Sequence, residues 1–368
     1  MKKVLITGAG GFIGKNLLAA LKQQEVQLVT HLHDDPLLQL EEKVIGADII
    51  YHLAGVNRPL KEDEFSASNV DFTQHLINCI SKVNPGVTVV YTSSMQAQQD
   101  NPYGISKRKA EELFLEAEAA SLLKTFIYRL PGVFGKWCRP NYNSVVATFC
   151  YNVINGLPLR IDNPNHKLDL VYIDDLIDEF LSFLSNPNNA TGYKQINIIY
   201  NVTLQELADK IQSFYESRNT LITNSVGFGI NRALYSTYLS YLNPAQFSYS
   251  VPVYKDERGV FSEILKTPKH GQFSFFTAKP GITRGGHYHH SKNEKFVVLC
   301  GKALFKFENI ITGEVYETVK SADNIEIVET VPGWAHNIKN IGDDDLVVML
   351  WANEIFDREK PDTFSWSM

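Results

Sequence analysis

The stretch KKVLIT at residues 2–7 runs straight into TGAGGFIG, and the glycines lead straight into the amphipathic segment KNLLAALKQQ. A short apolar run reads as a buried strand, and apolar residues at three- and four-residue spacing read as a helix. Between them Gly8, Gly11 and Gly14 form a G-x-x-G-x-x-G array. Glycine permits the tight strand-to-helix turn and lets backbone N–H groups approach a pyrophosphate, whose charge the helix N-terminus favours. The junction predicts a β-turn-α unit opening a doubly wound α/β sheet that takes a dinucleotide.

The same alternation continues to about Leu242. VQLVTHL, ADIIYHLAG, VTVVYTSS and LKTFIYRLP read as buried strands, and ISKRKAEELFLEAEAAS reads as a helix. After YLNPAQFSYSVPVY the texture changes. QFSFFTAK, KFVVLCGKALFKFENI, VYETVKS, NIEIVETV and DLVVMLWANE are strands split by short polar or glycine turns. The expectation is an α/β Rossmann-like doubly wound parallel sheet over residues 1–243 and an all-β antiparallel sandwich or small barrel over 244–368.

Composition excludes several classes. A net charge of −6 over 368 residues leaves no positive field for nucleic acid or acidic lipid. Cys79, Cys138, Cys150 and Cys300 are scattered without a CxxC pair, which fits buried thiols in a reducing compartment better than a disulfide framework. Two lysines before an apolar run mimic a signal peptide, but the glycines fall in a β-turn-α pattern and no apolar stretch reaches spanning length. The expected setting is the cytoplasm, with no membrane insertion and no nucleic-acid partner.

Three further stretches join the glycine array: HLAG at 52–55, YTSS ending at Ser94, and YGISK with Tyr103 and Lys107. Together they resemble the extended short-chain dehydrogenase/reductase family. HLAG is similar to its adenine-side loop after the fourth strand, and Ser94, Tyr103 and Lys107 align with its catalytic residues. Positions i and i+4 share a helix face, so the ammonium of Lys107 is expected to lower the Tyr103 phenol and ready it for proton exchange. Ser94 would hydrogen-bond the substrate carbonyl. The resemblance implies cofactor contacts from Gly8, Gly11, Phe12, Ile13, Gly14, Leu53, Ala54, Arg58, Tyr103 and Lys107. NAD-preferring members carry an acid at the end of the second strand. Here that strand ends at Thr30 or His31, and Arg58 or Lys15 could meet a 2′-phosphate, so the cofactor is read as NADPH, with NADH the alternative.

Downstream, YRLPGVFG (Tyr128 to Gly135), NYNS and DLVYIDDL (Asp169 to Leu176) resemble the nucleotide-sugar branch of that family, which implies a UDP-sugar substrate. Ser94 and Tyr103 stand only nine positions apart. The short loop leaves few candidates for the extra acid–base groups of a dehydratase, which favours simple carbonyl reduction.

In the second half, Gly281, five residues, His287-Tyr288-His289, four residues, Glu294, six residues and Gly301 resemble the first motif of the cupin family, a double-stranded β-helix or jelly roll. VPGWAHNIKN approximates its second motif, although Pro332 and Gly333 are adjacent where the family has a residue between them. His287 and His289 share one strand face, and His290 takes the other. His287, His289, Glu294 and His336 make a borderline-soft divalent site, read as zinc, with iron, nickel and manganese as alternatives. KDERGVFSEI (Lys255 to Ile264) and ITRGGHYHH also resemble deoxysugar 3,5-epimerases and 3,4-ketoisomerases. On that reading His287 is a base and Arg258 or Arg284 anchors a diphosphate.

The combination resembles a narrow group of bifunctional capsular-polysaccharide enzymes. It implies C3 epimerisation of a UDP-4-keto-6-deoxy-N-acetylhexosamine in the cupin half. NADPH-dependent reduction at C4 would then give UDP-2-acetamido-2,6-dideoxy-L-talose, a precursor of UDP-N-acetyl-L-fucosamine. A homodimer is expected by the same resemblance. The alternatives are a reductase with a purely structural, dimerising cupin, and a non-enzymatic sugar-nucleotide sensor.

Overall fold

A computed structural model describes residues 1–58, 61, 64–185 and 190–368. They divide into two compact units, one of residues 1–211 with 229–242, the other of residues 212–228 with 243–368. Residues 212–228 go with the second unit because Lys266 donates its amide to Leu221 O and accepts from Thr223 N, each at 2.8 Å.

In the first unit the strands are β1 (Lys2–Thr7), β2 (Val26–His31), β3 (Ile49–His52), β4 (Val87–Ser94), β5 (Leu123–Leu130), β6 (Gly132–Phe134), β7 (Lys167–Tyr172), β8 (Gly192–Lys194) and β9 (Tyr200–Thr203). Strands β2-β1-β3-β4-β5-β8 form a parallel six-stranded sheet, and β6-β7-β9 form a small mixed one. The parallel strands are apolar without alternation because both faces are covered. Val4, Leu5 and Ile6 are all fully buried. Helices α1 (Phe12–Leu21), α2 (Leu38–Val44), α3 (Phe72–Val83) and α4 (Pro102–Ala119) follow the first four strands in turn. On one face Leu5, Ile50, Val89 and Ile127 pack with Leu76 and Ile80 of α3 and Phe114 of α4. Each such side chain contributes roughly 1.5–3 kcal/mol by leaving water.

One expectation needs correcting. HLAG follows the third strand of the chain, not the fourth, because residues 32–48 form only a turn and the short α2.

The second unit is antiparallel throughout its named strands. These are β10 (Tyr254–Asp256), β11 (Gly259–Thr267), β12 (Gly271–Ala278), β13 (Thr283–Tyr288), β14 (Glu294–Cys300), β15 (Lys302–Asn309), β16 (Val315–Ser321), β17 (Ile327–Glu329), β18 (Trp334–Asn340), β19 (Leu346–Ala352) and β20 (Phe364–Ser365). One sheet runs β10-β11-β12-β19-β14-β17 and the other β16-β15-β18-β13-β20. Phe276, Phe296, Val348, Phe305 and Ile338 from the two sheets meet in one apolar core. No helix among the described residues is long and apolar enough to cross a membrane.

Phe305 is 1% exposed, with its ring centre 6.1 Å from that of Phe296. Phe305→Ala is expected to destabilise the β unit by about 3–5 kcal/mol, since little around the cavity can collapse into it. Denaturant unfolding followed by tryptophan fluorescence checks this.

Candidate functional site

The order β2-β1-β3 places the sheet's switch point between β1 and β3, so the loops leaving their C-terminal ends diverge around a crevice. Gly8 closes the floor of that crevice. It has φ +71°, and a Cβ there would lie 2.6 Å from Ala54 N. No other residue permits that approach, so Gly8, Leu53 and Ala54 come together. Gly11 caps α1, whose first turn carries no acidic residue. Phe12, Ile13 and Gly14 open the helix, and its free N–H groups and dipole suit an anion. A dinucleotide pyrophosphate fits this cradle.

A hydrogen-bond chain links the crevice to α4. Thr7 Oγ1 meets His52 Nδ1 at 2.8 Å, and His52 Nε2 meets Thr73 Oγ1 at 3.0 Å. Thr73 donates to Asn69 O at 2.7 Å, on a π-helical turn, Ser66–Asp71. Asn69 Nδ2 donates to Val56 O at 3.0 Å and to Ser106 Oγ at 2.9 Å. Ser106 in turn donates to Tyr103 O at 2.7 Å. Burial holds His52 at about 3, so it stays neutral.

Helix α4 starts sharply because Asn101 Oδ1 accepts from Gly104 N at 2.8 Å with Pro102 in the first turn. Tyr103 and Lys107 stand one turn apart on it, with Ser94 at the end of β4 close enough to the Tyr103 phenol to influence it. The phenol departs from expectation. Burial raises it, with Ser94 acting in the opposite sense. Burial also pulls Lys107 down to about 7, with Glu111 opposing. Its Nζ donates to Thr92 O at 2.7 Å, toward the end of β4. Desolvation penalises both charged forms, which spacing along a helix cannot reveal.

Glu111 is a group that motif reading missed. It is fully buried one turn beyond Lys107. Its carboxylate accepts from Arg129 Nη2 at 2.6 Å, Tyr193 OH at 2.9 Å and the Ser93 hydroxyl. The i+4 repeat Tyr103-Lys107-Glu111 was the available signal. Arg58 is exposed beyond the HLAG loop, and its guanidinium makes no ion pair among the described residues.

In the second unit, His287, His289, Glu294 and His336 each bring one ligand atom within 4.8 Å of the others. Strand pairing sets this up. His287 lies opposite His336, and the register shift between Gly285 and His287 lets Arg284, opposite Ile338, share their face. Gly285 has φ +93°, and a Cβ there would sit 2.8 Å from His336 O. His289 lies one residue past β13, its ring centre 5.0 Å from that of His287. His290 is exposed and stays outside the cluster. Burial lowers His287 to about 4, with the neighbouring His336 acting in the same sense. Burial works against the Glu294 carboxylate, yet the neighbouring His289 and His336 side chains and the Lys292 charge hold it below its ordinary range.

Three imidazoles and a carboxylate fit a borderline-soft divalent cation, and buried His336 Nδ1 has no hydrogen-bond partner among the described residues. Lys292 Nζ, 3.1 Å from Glu294 Oε1, was not anticipated. Arg258 is exposed and paired with Asp256, while Arg284 donates to Thr277 O at 2.9 Å.

Comparison with known proteins follows these two units. Residues 4–199 match the NAD dependent epimerase/dehydratase family. The chain belongs to that family. Residues 254–364 match the polysaccharide biosynthesis C-terminal domain. This member of the epimerase/dehydratase family is 50% identical over 367 residues to UDP-2-acetamido-2,6-beta-L-arabino-hexul-4-ose reductase of Pseudomonas aeruginosa, covering 100% of this chain and 99% of the relative. It superposes on the capsular polysaccharide assembling protein CapF from Staphylococcus aureus with a TM-score of 0.92 at 40% identity, over 99% of this chain and 100% of that one. A UDP-glucuronic acid 4-epimerase from Bacillus cereus, solved with NAD, shares the fold over 65% of this chain and 98% of its own, at TM-score 0.56 and 17% identity.

Within this NAD-dependent fold, Glu111→Gln keeps the volume but strips Arg129 of its carboxylate. Arg129 is 28% exposed, so the expected loss is about 2 kcal/mol, below the ~3–5 of a fully buried pair. Because Glu111 raises Lys107, the ammonium should also deprotonate at lower pH in the variant. Thermal unfolding and the pH profile of nicotinamide-dependent turnover measure the two effects.

Proposed function

We propose that the chain is a bifunctional nucleotide-sugar enzyme, with C3 epimerisation of a UDP-4-keto-6-deoxy-N-acetylhexosamine in the β unit and C4 reduction in the α/β unit. The product is UDP-2-acetamido-2,6-dideoxy-L-talose. The observation carrying this reading is Tyr103 with buried Lys107 one turn on and Ser94 beside the phenol, in a chain that aligns end to end with a UDP-hexul-4-ose reductase.

When bound, reduced nicotinamide supplies the hydride. Ser94 orients the C4 ketone through its hydroxyl, and Tyr103 gives the ketone oxygen its proton as that oxygen gains charge. Lys107, held by Thr92 O, supplies positive charge that assists release of the Tyr103 proton. The crevice around Gly8 and Ala54 holds the dinucleotide. No carboxylate ends β2, and nearby Asp35 is occupied by Lys43 at 2.6 Å, which supports NADPH over NADH.

In the β unit, neutral His287 has a lone pair able to take the C3 proton, which the 4-ketone acidifies. On the competing reading a divalent cation held by His287, His289, Glu294 and His336 would supply polarisation, and His287, its lone pair then engaged by the cation, would not be the base. Once the ketone is reduced, the C3 proton is no longer acidic and the epimer is trapped. The Pseudomonas aeruginosa relative is named for reduction alone, which favours a second reading in which the β unit is structural.

Two measurements separate these readings. Tyr103→Phe should abolish NADPH oxidation with a UDP-4-keto sugar while leaving NADPH binding nearly intact. In the same variant, solvent deuterium should still enter C3 without NADPH, as read by NMR of the sugar. Deuterium entry absent from both variant and wild type leaves the structural reading standing, and full reduction by Tyr103→Phe removes the tyrosine from its role.

Arg58 addresses the cofactor. If it meets a 2′-phosphate, Arg58→Ala should weaken NADPH well beyond NADH, because a charge-assisted contact is lost. Equal weakening, measured by fluorescence titration, assigns Arg58 to the solvated loop.

A further inference from the structure

We propose that the segment around Asp362 positions the histidine–carboxylate cluster, and that Asp362 fixes the tautomer of His289 and thereby the cluster's affinity for a divalent cation. This rests on reading the cluster as a cation site.

The loop 289–293 between β13 and β14 carries one ligand and leads to another, and it is not a regular element. What holds it lies some seventy residues away. Asp362 Oδ1 accepts from His290 N at 2.9 Å, and its Oδ2 accepts from Ser291 N at 2.7 Å, Lys292 N at 2.7 Å and Ser291 Oγ at 3.0 Å. One carboxylate thus gathers three consecutive amides. Immediately after it, β20 adds to the edge of β13, pairing Ser365 with His287 and Phe364 with Tyr288. Trp366 N donates to Gly286 O at 2.8 Å, and Trp366 Nε1 donates to Glu308 Oε1 at 3.2 Å. The segment is therefore stitched along the strand that bears His287.

The decisive contact is to the ring. His289 Nδ1 lies 2.5 Å from Asp362 O. A carbonyl only accepts, so Nδ1 carries the proton, and in the neutral, ligating form of the ring Nε2 keeps its lone pair. That lone pair faces Glu294 Oε2 at 3.4 Å. Two electron-rich atoms facing each other across a buried gap is the arrangement that a cation between them satisfies. Outer partners of this kind orient a ligating imidazole, and losing one typically weakens metal binding about 10–100-fold. Here the orienting atom is a main-chain carbonyl, and the side chain of the same residue holds the loop that presents the ring. Asp362 acts through His289 and touches no reacting group, so it is a positioning residue.

The test uses the full chain and zinc alone as probe, with affinity read by competition against a chromophoric chelator. Asp362→Ala should bind zinc about 10–100-fold more weakly than wild type. Asp362→Asn, which keeps the volume and one acceptor oxygen, should recover part of that loss and serves where the alanine variant does not fold. The readout that a merely structural role would not move is the ¹⁵N spectrum of His289, assigned by comparison with His289→Gln. Zinc-loaded wild type should show Nδ1 protonated, and the Asp362 variants a mixture of tautomers. Equal zinc affinity and an unchanged His289 tautomer in both variants overturn the proposal while leaving the cation site intact. A wild type that binds zinc no better than Glu294→Gln instead overturns the cation-site reading, and this inference with it.

Discussion

The first unit depends on one close approach, that of Gly8 to Ala54. The two loops leave the ends of adjacent parallel strands at the point where the chain changes direction across the sheet, and nothing in sheet geometry alone holds them together. Because Gly8 lacks a Cβ, backbone meets backbone there. The hydrogen bonds behind the contact then form a directed series. Thr73 donates to Asn69 O, so it accepts from His52 Nε2, which leaves His52 Nδ1 to accept from Thr7. His52 and the Thr73 hydroxyl each donate once and accept once, and a neutral His52 is what the series requires. Through Asn69 and Ser106 the series ends at the backbone of Tyr103. The crevice around Gly8 and the helix bearing Tyr103 are thus joined by one hydrogen-bond series.

Both units bury charge, and at comparable places. In the first, Glu111 is fully buried against a partly exposed Arg129; in the second, Glu294 and Lys292 are both under a tenth exposed beside three imidazoles. Removing ions from water costs several kcal/mol each, and pairing often does no more than offset that cost. A fold seeking stability alone would place apolar side chains there. Buried charge next to perturbed titratable groups makes each place a functional-site candidate. Lys107 drawn down to about 7 and His287 drawn down to about 4 share a cause, the exclusion of water, and it acts on lysine and histidine in the same direction.

Much of this was legible in the residues themselves. Period-two and period-3.6 patterning separated the α/β half from the all-β half, and the antiparallel strands lie where the turns between apolar runs put them. The glycine array, the Tyr103–Lys107 spacing and the His287, His289, Glu294 and His336 spacing each named groups that the fold brings close. What escaped was of two kinds. Glu111 carried a signal in its i+4 spacing from Lys107 but belongs to no motif that the reading used. Asp362 carried none, since an aspartate seventy residues from the loop it gathers looks like any surface acid.

The sequence by itself determined that an α/β and an all-β architecture share the chain, and which side chains could do chemistry, because those properties depend on neighbours within a few residues. The tertiary structure alone decided the protonation and partnering of those side chains. Whether a phenol is lowered by a lysine or raised by burial depends on how much water surrounds both. Which nitrogen of His289 bears the proton depends on a carbonyl that the fold returns from the far end of the chain. Desolvation and hydrogen-bond partnership are properties of the packed interior, and no local spacing encodes them.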